Sequence, residues 1–383
     1  MFAWFCIMGE KETIDMNKMG FGFMRLPKIE GGEEYDFENA NAMADAFLEA
    51  GFTYFDTAYP YHGGASEPAV RKVLAERHPR ESYTLATKLP GWLLSDTVTP
   101  QPLFDEQLEK TGAGYFDYYL LHSVNRGNIE KYDAHDCWNW GLSLKEAGKI
   151  RYFGFSFHDT PEMLDELLSK HQVDFVQLQI NYLDWENESV QSHGCYEVAT
   201  KHGVPVVVME PVKGGTLATM PEAAADILKA YAPDASLASW AIRYAATLPN
   251  VMAVLSGMSN PEQMADNIAT MKDFAPLKEE EQAVLQQAAE KLVELKMIPC
   301  TACRYCVDDC PKGILIPDII RCLNHTKVYG RSGSMKKKYS QLAEAGSPAS
   351  ECIGCGQCEG VCPQHLEVPK IMQEAAALYE EQN

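Results

Sequence analysis

The chain lacks several features that would fix a class at once. No apolar run approaches the ~20 residues that span a bilayer. Basic residues are scarce: 33 Lys and Arg stand against 54 Asp and Glu, a net charge of −21. A surface that acidic repels phosphate backbones and anionic lipid, which argues against nucleic acid or a membrane as partner. The N-terminal stretch Met1-Phe2-Ala3-Trp4-Phe5-Cys6-Ile7-Met8 is apolar, but no basic residue precedes it and no small-residue cleavage site follows. It fails as a signal peptide and reads as an N-terminal extension, with Met16 as an alternative start, on a cytoplasmic protein. No G-x-G-x-x-G opens a helix after a strand-like run, so the dinucleotide fingerprint of doubly wound sheets is missing. There are no internal repeats at solenoid periods.

With 46% apolar and 23% charged residues the chain is not disordered, and 383 residues suit two modules. Their junction is visible twice. Only Cys6, Cys137 and Cys195 fall in the first 299 residues, whereas nine of the 12 cysteines lie between 300 and 362. Residues 300–383 carry nine basic and ten acidic side chains and are nearly neutral, so residues 1–299 carry −20. The expected division is a barrel over 16–275, a helical connector over 276–299 and a cysteine-rich module over 300–383.

The first module alternates β-rich runs with amphipathic ones. Strands are predicted at Met19–Met24, Thr53–Asp56, Thr84–Lys88, Tyr118–His122, Tyr152–Ser156, Phe175–Ile180, Pro205–Glu210 and Val251–Ser256. Helical patterns between them include Asn39–Ala50, Glu67–Arg77, Glu130–Ala147, Pro161–Lys170, Ser189–His202 and Ser236–Thr247. Eight alternations over this length match a (β/α)8 barrel of the TIM type. Glu279–Leu295 reads as one helix stopped by Pro299.

The second module contains a duplicated motif. Cys300-x2-Cys303-x2-Cys306-x3-Cys310-Pro311 is followed by Cys352-x2-Cys355-x2-Cys358-x3-Cys362-Pro363. Three thiolates at three-residue steps wrap one iron–sulfur cube, and the fourth of such a run ligates the other cluster in two-cluster ferredoxins. Two [4Fe-4S] clusters are expected, one on Cys300, Cys303, Cys306 and Cys362, the other on Cys352, Cys355, Cys358 and Cys310. Structural zinc is the competing reading, although zinc cysteines usually come in separated pairs. The runs resemble the dicluster ferredoxins, with helical patterns at Ile314–Asn324 and Val368–Leu378 as in the helical subclass of that family. Cys322 reads as a packed apolar residue. The intervening 329–350 segment, rich in Gly, Ser and Lys, includes Lys336-Lys337-Lys338, read as a solvated turn or as a docking patch for an acidic electron carrier.

In the first module, Asp56-Thr57-Ala58-Tyr59-Pro60-Tyr61 with Gly63-Gly64-Ala65-Ser66-Glu67, then Ala86-Thr87-Lys88, then Leu120-Leu121-His122, end successive strands. Barrel enzymes carry their chemistry at that rim. A phenol near pKa 10 donates a proton at pH 7 only if a cation stabilises its phenolate. Lys88 can supply that cation to Tyr61, Asp56 can keep the lysine charged, and His122 can orient an incoming oxygen. The set describes a general acid aimed at a carbonyl accepting hydride.

These motifs resemble those of the aldo-keto reductases over residues 16–275, and the whole chain resembles their iron–sulfur-bearing branch from anaerobic bacteria and archaea. The resemblance implies a catalytic tetrad of Asp56, Tyr61, Lys88 and His122. It places nicotinamide-nucleotide contacts on Gly22, Ser156 and Gln179, and on Gly257, Met258 and Asn267 near the adenosine phosphates. Where family members commonly have an Asn after the contacting Ser, this chain has Phe157; where they have a stacking Tyr, it has Met209. Basic residues that hold a 2′-phosphate match Gly257 and Gln263, so NADH and NADPH should bind comparably, or NADH better. Trp92, Trp138 and Trp140 could line a pocket above the rim or pack within loops.

The expected function is reduction of a small-molecule aldehyde or ketone with NAD(P)H, the clusters serving as a one-electron relay to the site or to a ferredoxin or flavodoxin. Two rivals stand beside it: a ferredoxin-coupled reductase of another unsaturated substrate, and an electron-transfer subunit whose barrel is a docking scaffold.

Overall fold

A computed structural model describes residues 17–29, 32 and 34–380. The apolar N-terminal stretch, Cys6 and Met16 lie outside the described residues. Eight parallel strands close into one barrel in sequence order. They are β1 (Met19–Gly22), β2 (Tyr54–Asp56), β3 (Thr84–Leu89), β4 (Phe116–Val124), β5 (Ile150–Phe157), β6 (Phe175–Gln179), β7 (Val206–Met209) and β8 (Val251–Ser256). β1 pairs with both β2 and β8, so no strand is left as an edge. The predicted first strand is shorter than expected, because Phe23–Arg25 turns into a 3-10 helix.

Side chains of a strand alternate between its two faces. Tyr54, Ala86, Leu120 and Val207 pack together in the lumen. Two residues further along the same strands, on the same face, come Asp56, Lys88, His122 and Met209, one pleat nearer the C-terminal mouth. The pleat thus converts the lumen's packing into a ring of converging polar groups. A larger apolar layer between strands and helices, including Phe21, Phe47, Phe155 and Leu164, clamps the barrel from outside.

Two segments differ from expectation. The single helix predicted over Glu130–Ala147 is two, Ile129–Ala134 and Cys137–Glu146, broken at Asp136, whose φ is +49°. The 329–350 segment carries a helix, Gly333–Ala345, rather than a turn. Ser332 caps that helix by accepting the Met335 amide, and Tyr339 and Leu342 bury one face. Lys336, Lys337 and Lys338 are exposed on it.

The helix Glu279–Glu294 is not a free spacer. Leu285, Ala288 and Leu292 bury against Leu228, Trp240 and Ala241 of the barrel's outer helices. Beyond it, Ile316–Tyr329 and Val368–Tyr379 pack with Gly333–Ala345 around a small core that includes Cys322, 3% exposed. Among the described residues, no helix is long and apolar enough to cross a membrane.

This second module sits against the mouth of the barrel. Arg25 Nη2 donates to the Thr301 carbonyl at 2.9 Å. Gly214, at φ +62°, lies so close to Thr301 that a Cβ there would stand 2.0 Å from its carbonyl oxygen. Only glycine tolerates both that conformation and that approach.

Candidate active site

One cavity of about 310 Å³ at the C-terminal mouth is lined by Asp56, Tyr61, Lys88 and His122, and by Gly22, Ser156, Gln179, Gly257, Met258 and Asn267. The four tetrad positions and the six nucleotide-contact positions expected from the sequence therefore open into the same space. Lys88 is 1% exposed and its ammonium reaches three oxygens: Asp56 Oδ1 at 2.7 Å, the Thr57 carbonyl at 2.8 Å and the Tyr61 hydroxyl at 3.4 Å. Three acceptors match the three N–H bonds of a charged lysine. Burial pushes the lysine's pKa down and the aspartate's up, and each partner opposes the shift of the other. Burial, with smaller contributions from Tyr305, Asp56 and Glu210, holds the Tyr61 phenol well above its usual pKa, so it is protonated at neutral pH. Burial, helped by Lys88 and His158, drives His122 well below the usual histidine range, so its ring is neutral.

Local sequence explains how these groups are held. After β2 the chain reaches Tyr61 at the mouth and then turns away through His62, Gly63 and Gly64, all at positive φ. Buried Glu67 accepts from Thr87 Oγ1 at 2.7 Å and Gln107 Nε2 at 2.6 Å, and Gln107 also donates to the Lys88 carbonyl at 3.0 Å. Tyr132 donates to the His122 carbonyl at 2.6 Å. The left-handed Ser123 (φ +56°) follows His122, and its amide donates to Ser156 Oγ at 2.7 Å. His122 Nδ1 and Asp56 Oδ2 are buried without a hydrogen-bond partner.

The far end of the cavity is formed by Ser256–Ser259 and the start of the helix Pro261–Lys272. Asn260 caps that helix by accepting the Gln263 amide at 2.9 Å, and Asn267, which lies within the helix rather than in the loop, donates to Ser256 Oγ at 2.9 Å. A helix N-terminus there suits a phosphate. Gly257 lies under the Arg25 side chain, 3.1 Å from where its Cβ would be. Arg25 is a cavity-lining cation that sequence reasoning passed over. Trp92 reaches the site, its ring centroid 5.1 Å from that of His122. Trp138 instead stacks on His171 and Trp140 packs edge-on to Phe104, so neither lines the cavity.

The cysteines surround two separate cavities. One is lined by Cys300, Cys303, Cys306 and Cys362, the other by Cys310, Cys352, Cys355 and Cys358. The fourth cysteine of each run thus faces the three of the other run. Among the described residues, no three His, Cys, Asp or Glu side chains are arranged to hold a single metal ion. The backbone repeats too: the residues flanking the second cysteine of each run are left-handed, Ala302 and Arg304 in one, Gly354 and Gly356 in the other. The same wrap is therefore built with glycine once and under strain once. The donor sets and the wrap fit thiolate-held cubes.

The second module also supplies Cys303, Tyr305 and Pro363 to the barrel cavity. Tyr305 lines the cavity with Tyr61 and contributes to holding that phenol's pKa up. Gln364, 4% exposed, is paired with Gln179. None of these contacts was foreseen. The readable signal was an asymmetry between the runs, since Tyr305 in the first corresponds to Gln357 in the second.

Comparison with known proteins agrees with this architecture. The model of the aldo/keto reductase family matches residues 18–290, and a model described as a 4Fe-4S dicluster domain matches residues 299–367. An uncharacterized oxidoreductase of Bacillus subtilis is 26% identical over 305 residues, covering 71% of this chain and 92% of that protein. The NADH-specific methylglyoxal reductase of Escherichia coli is 25% identical over 334 residues, 73% of this chain and 96% of its own. A solved aldo-keto reductase from Bacillus halodurans, in its holo form, superposes with a TM-score of 0.58 at 27% identity, covering 71% of this chain and 91% of that one. The chain belongs to the aldo/keto reductase family and is an oxidoreductase that carries an iron–sulfur domain at its C-terminal end.

Proposed function

We propose that the chain reduces a small-molecule carbonyl compound with NADH or NADPH, with Tyr61 as proton donor, and that its eight run cysteines hold two [4Fe-4S] clusters as a one-electron relay. The observation that carries this reading is the Lys88 ammonium bonded to both Asp56 and Tyr61 at the end of a groove that continues to a helix N-terminus. A bound nicotinamide supplies a hydride, two electrons, to the carbonyl carbon; bound clusters supply or accept single electrons. The chain's own residues do the rest. Tyr61 gives its hydroxyl proton to the carbonyl oxygen, Lys88 stabilises the phenolate left behind, and Asp56 fixes Lys88. The neutral His122 offers a ring nitrogen to hold the oxygen, and the closed lumen excludes water. Hydride and proton together balance the conversion to an alcohol.

The barrel is read as 16–275, the connector as 276–299 and the two-cluster module as 300–383, in a protein working in the reducing cytoplasm, with a ferredoxin or flavodoxin as redox partner. The name of the Escherichia coli relative makes small aldehydes the first substrates to try. The test is anaerobic oxidation of NADH and NADPH against a panel of carbonyls that includes methylglyoxal. Turnover is expected with at least one carbonyl; nucleotide oxidation with none of them overturns the reading. The ferredoxin-coupled alternative is favoured by one observation, that Cys303 lines the same cavity as Tyr61. Reduction by pre-reduced ferredoxin without nucleotide would select it.

A further inference from the structure

Two side chains of the second module land on groups that the proposed reaction needs free. Tyr305, between the ligand positions Cys303 and Cys306, lines the same cavity as Tyr61 and His122. Gln364 donates from Nε2 to Gln179 Oε1 at 2.7 Å, and its Oε1 accepts from Gln179 Nε2 at 3.3 Å, both residues being buried. A carbonyl protonated by Tyr61 must bring its oxygen into the cavity that the Tyr305 side chain now lines. The hydride donor must touch the carbon of that carbonyl. A nucleotide whose phosphates lie at the far end, by Gly257, therefore brings its nicotinamide end to Ser156 and Gln179. Its carboxamide is the same chemical group as the Gln364 side chain.

We infer that the docked second module mimics both ligands, Tyr305 standing where the carbonyl binds and Gln364 where the nicotinamide carboxamide binds, so that nucleotide binding and module docking compete. The inference rests on the nucleotide reading of the groove. Arg25 extends the competition, because its stem lies over Gly257 while its guanidinium is engaged by the Thr301 carbonyl of the second module. Such coupling is reciprocal: the module weakens nucleotide binding, and the nucleotide loosens the module by the same factor.

The test uses the full chain with its iron retained, kept anaerobic. Gln364→Ala should tighten the Kd for NADPH and NADH by about tenfold, since a neutral hydrogen bond is worth on the order of that factor. In the wild type, which needs no substitution to fold, adding NADPH should speed backbone hydrogen exchange in 301–306 and 363–366. An unchanged Kd in Gln364→Ala overturns the competition while leaving the nucleotide reading intact. So does exchange in those segments that stays constant or slows as nucleotide binds. Absence of binding by either nucleotide to both proteins overturns the nucleotide reading and the competition with it.

Discussion

The barrel mouth and the cysteine module place functional groups by opposite means. In the barrel, each polar group is one pleat above a filled lumen and is gripped by neighbours, as Lys88 is by Asp56 and Thr57. Its charges are paired within the protein, so the site is formed before any ligand arrives. In the module the donors stand on loops with left-handed residues, around two cavities, over a small apolar core. Its order depends on what the thiolates bind. Geometry built by packing tolerates an empty site, whereas geometry built by ligation does not.

The largest expected effect breaks that contrast directly. Anaerobic protein should contain about eight irons and eight acid-labile sulfides, as two cubes require. Removing them should abolish the cooperative unfolding of the module while the barrel retains its own transition by circular dichroism. Stoichiometric zinc without sulfide, or simultaneous loss of both transitions, would count against the account.

Next comes Tyr61→Phe. Loss of a positioned general acid costs roughly 10²–10⁴ in rate, and nucleotide affinity should hold because the phenol's partners lie on the carbonyl side. Steady-state kinetics beside a binding titration separates the two; near-normal turnover would show that the tetrad is inherited but idle.

A smaller effect concerns His158, a half-buried ring facing the mouth. Burial, with a contribution from His365, lowers its pKa from 6.5 to about 4. Unfolded, it takes up a proton below about pH 6.5; folded, it resists until about pH 4. The unfolded state then binds more protons, so stability falls as pH drops through that window, by about 2–3 kcal/mol in all. Denaturant melts of wild type and His158→Gln across pH 4–7 should diverge, the variant being flatter.

The smallest effect is cofactor choice. On the proposed nucleotide placement, Gly257 and Gln263 offer a 2′-phosphate no cationic fork, so NADH and NADPH should bind within about tenfold of each other, and Gln263→Arg should favour NADPH by a similar factor. A strong wild-type preference for NADPH would identify Arg25, which lines the cavity beside Gly257, as the phosphate's partner.

Legibility in the sequence follows the same division. The strand ends carrying Asp56, Lys88 and His122 were readable because period-two patterning and barrel length are local or global properties of a string. The two cysteine runs were readable from spacing, whereas the crossing of their fourth members was expected only from the pattern of two-cluster ferredoxins. The contacts between modules were not, because nothing in the string places Tyr305 in the cavity of Tyr61 or Gln364 on Gln179; residues 244 and 185 positions apart come together only through tertiary docking. Helix Gly333–Ala345 was hidden by its Gly, Ser and Lys content, although Tyr339 and Leu342 supply its buried face. Trp138 and Trp140 were misleading because large aromatics near a rim serve packing as readily as binding.

The most direct measurement is the fate of the nicotinamide hydrogen. Anaerobic protein is given NADH or NADPH deuterated at the transferable position together with a carbonyl that it turns over. The alcohol is then analysed by mass spectrometry. Hydride transfer at the Tyr61 site predicts deuterium on the carbinol carbon. Hydrogen from solvent at that carbon would mean electron-by-electron reduction and would contradict the account.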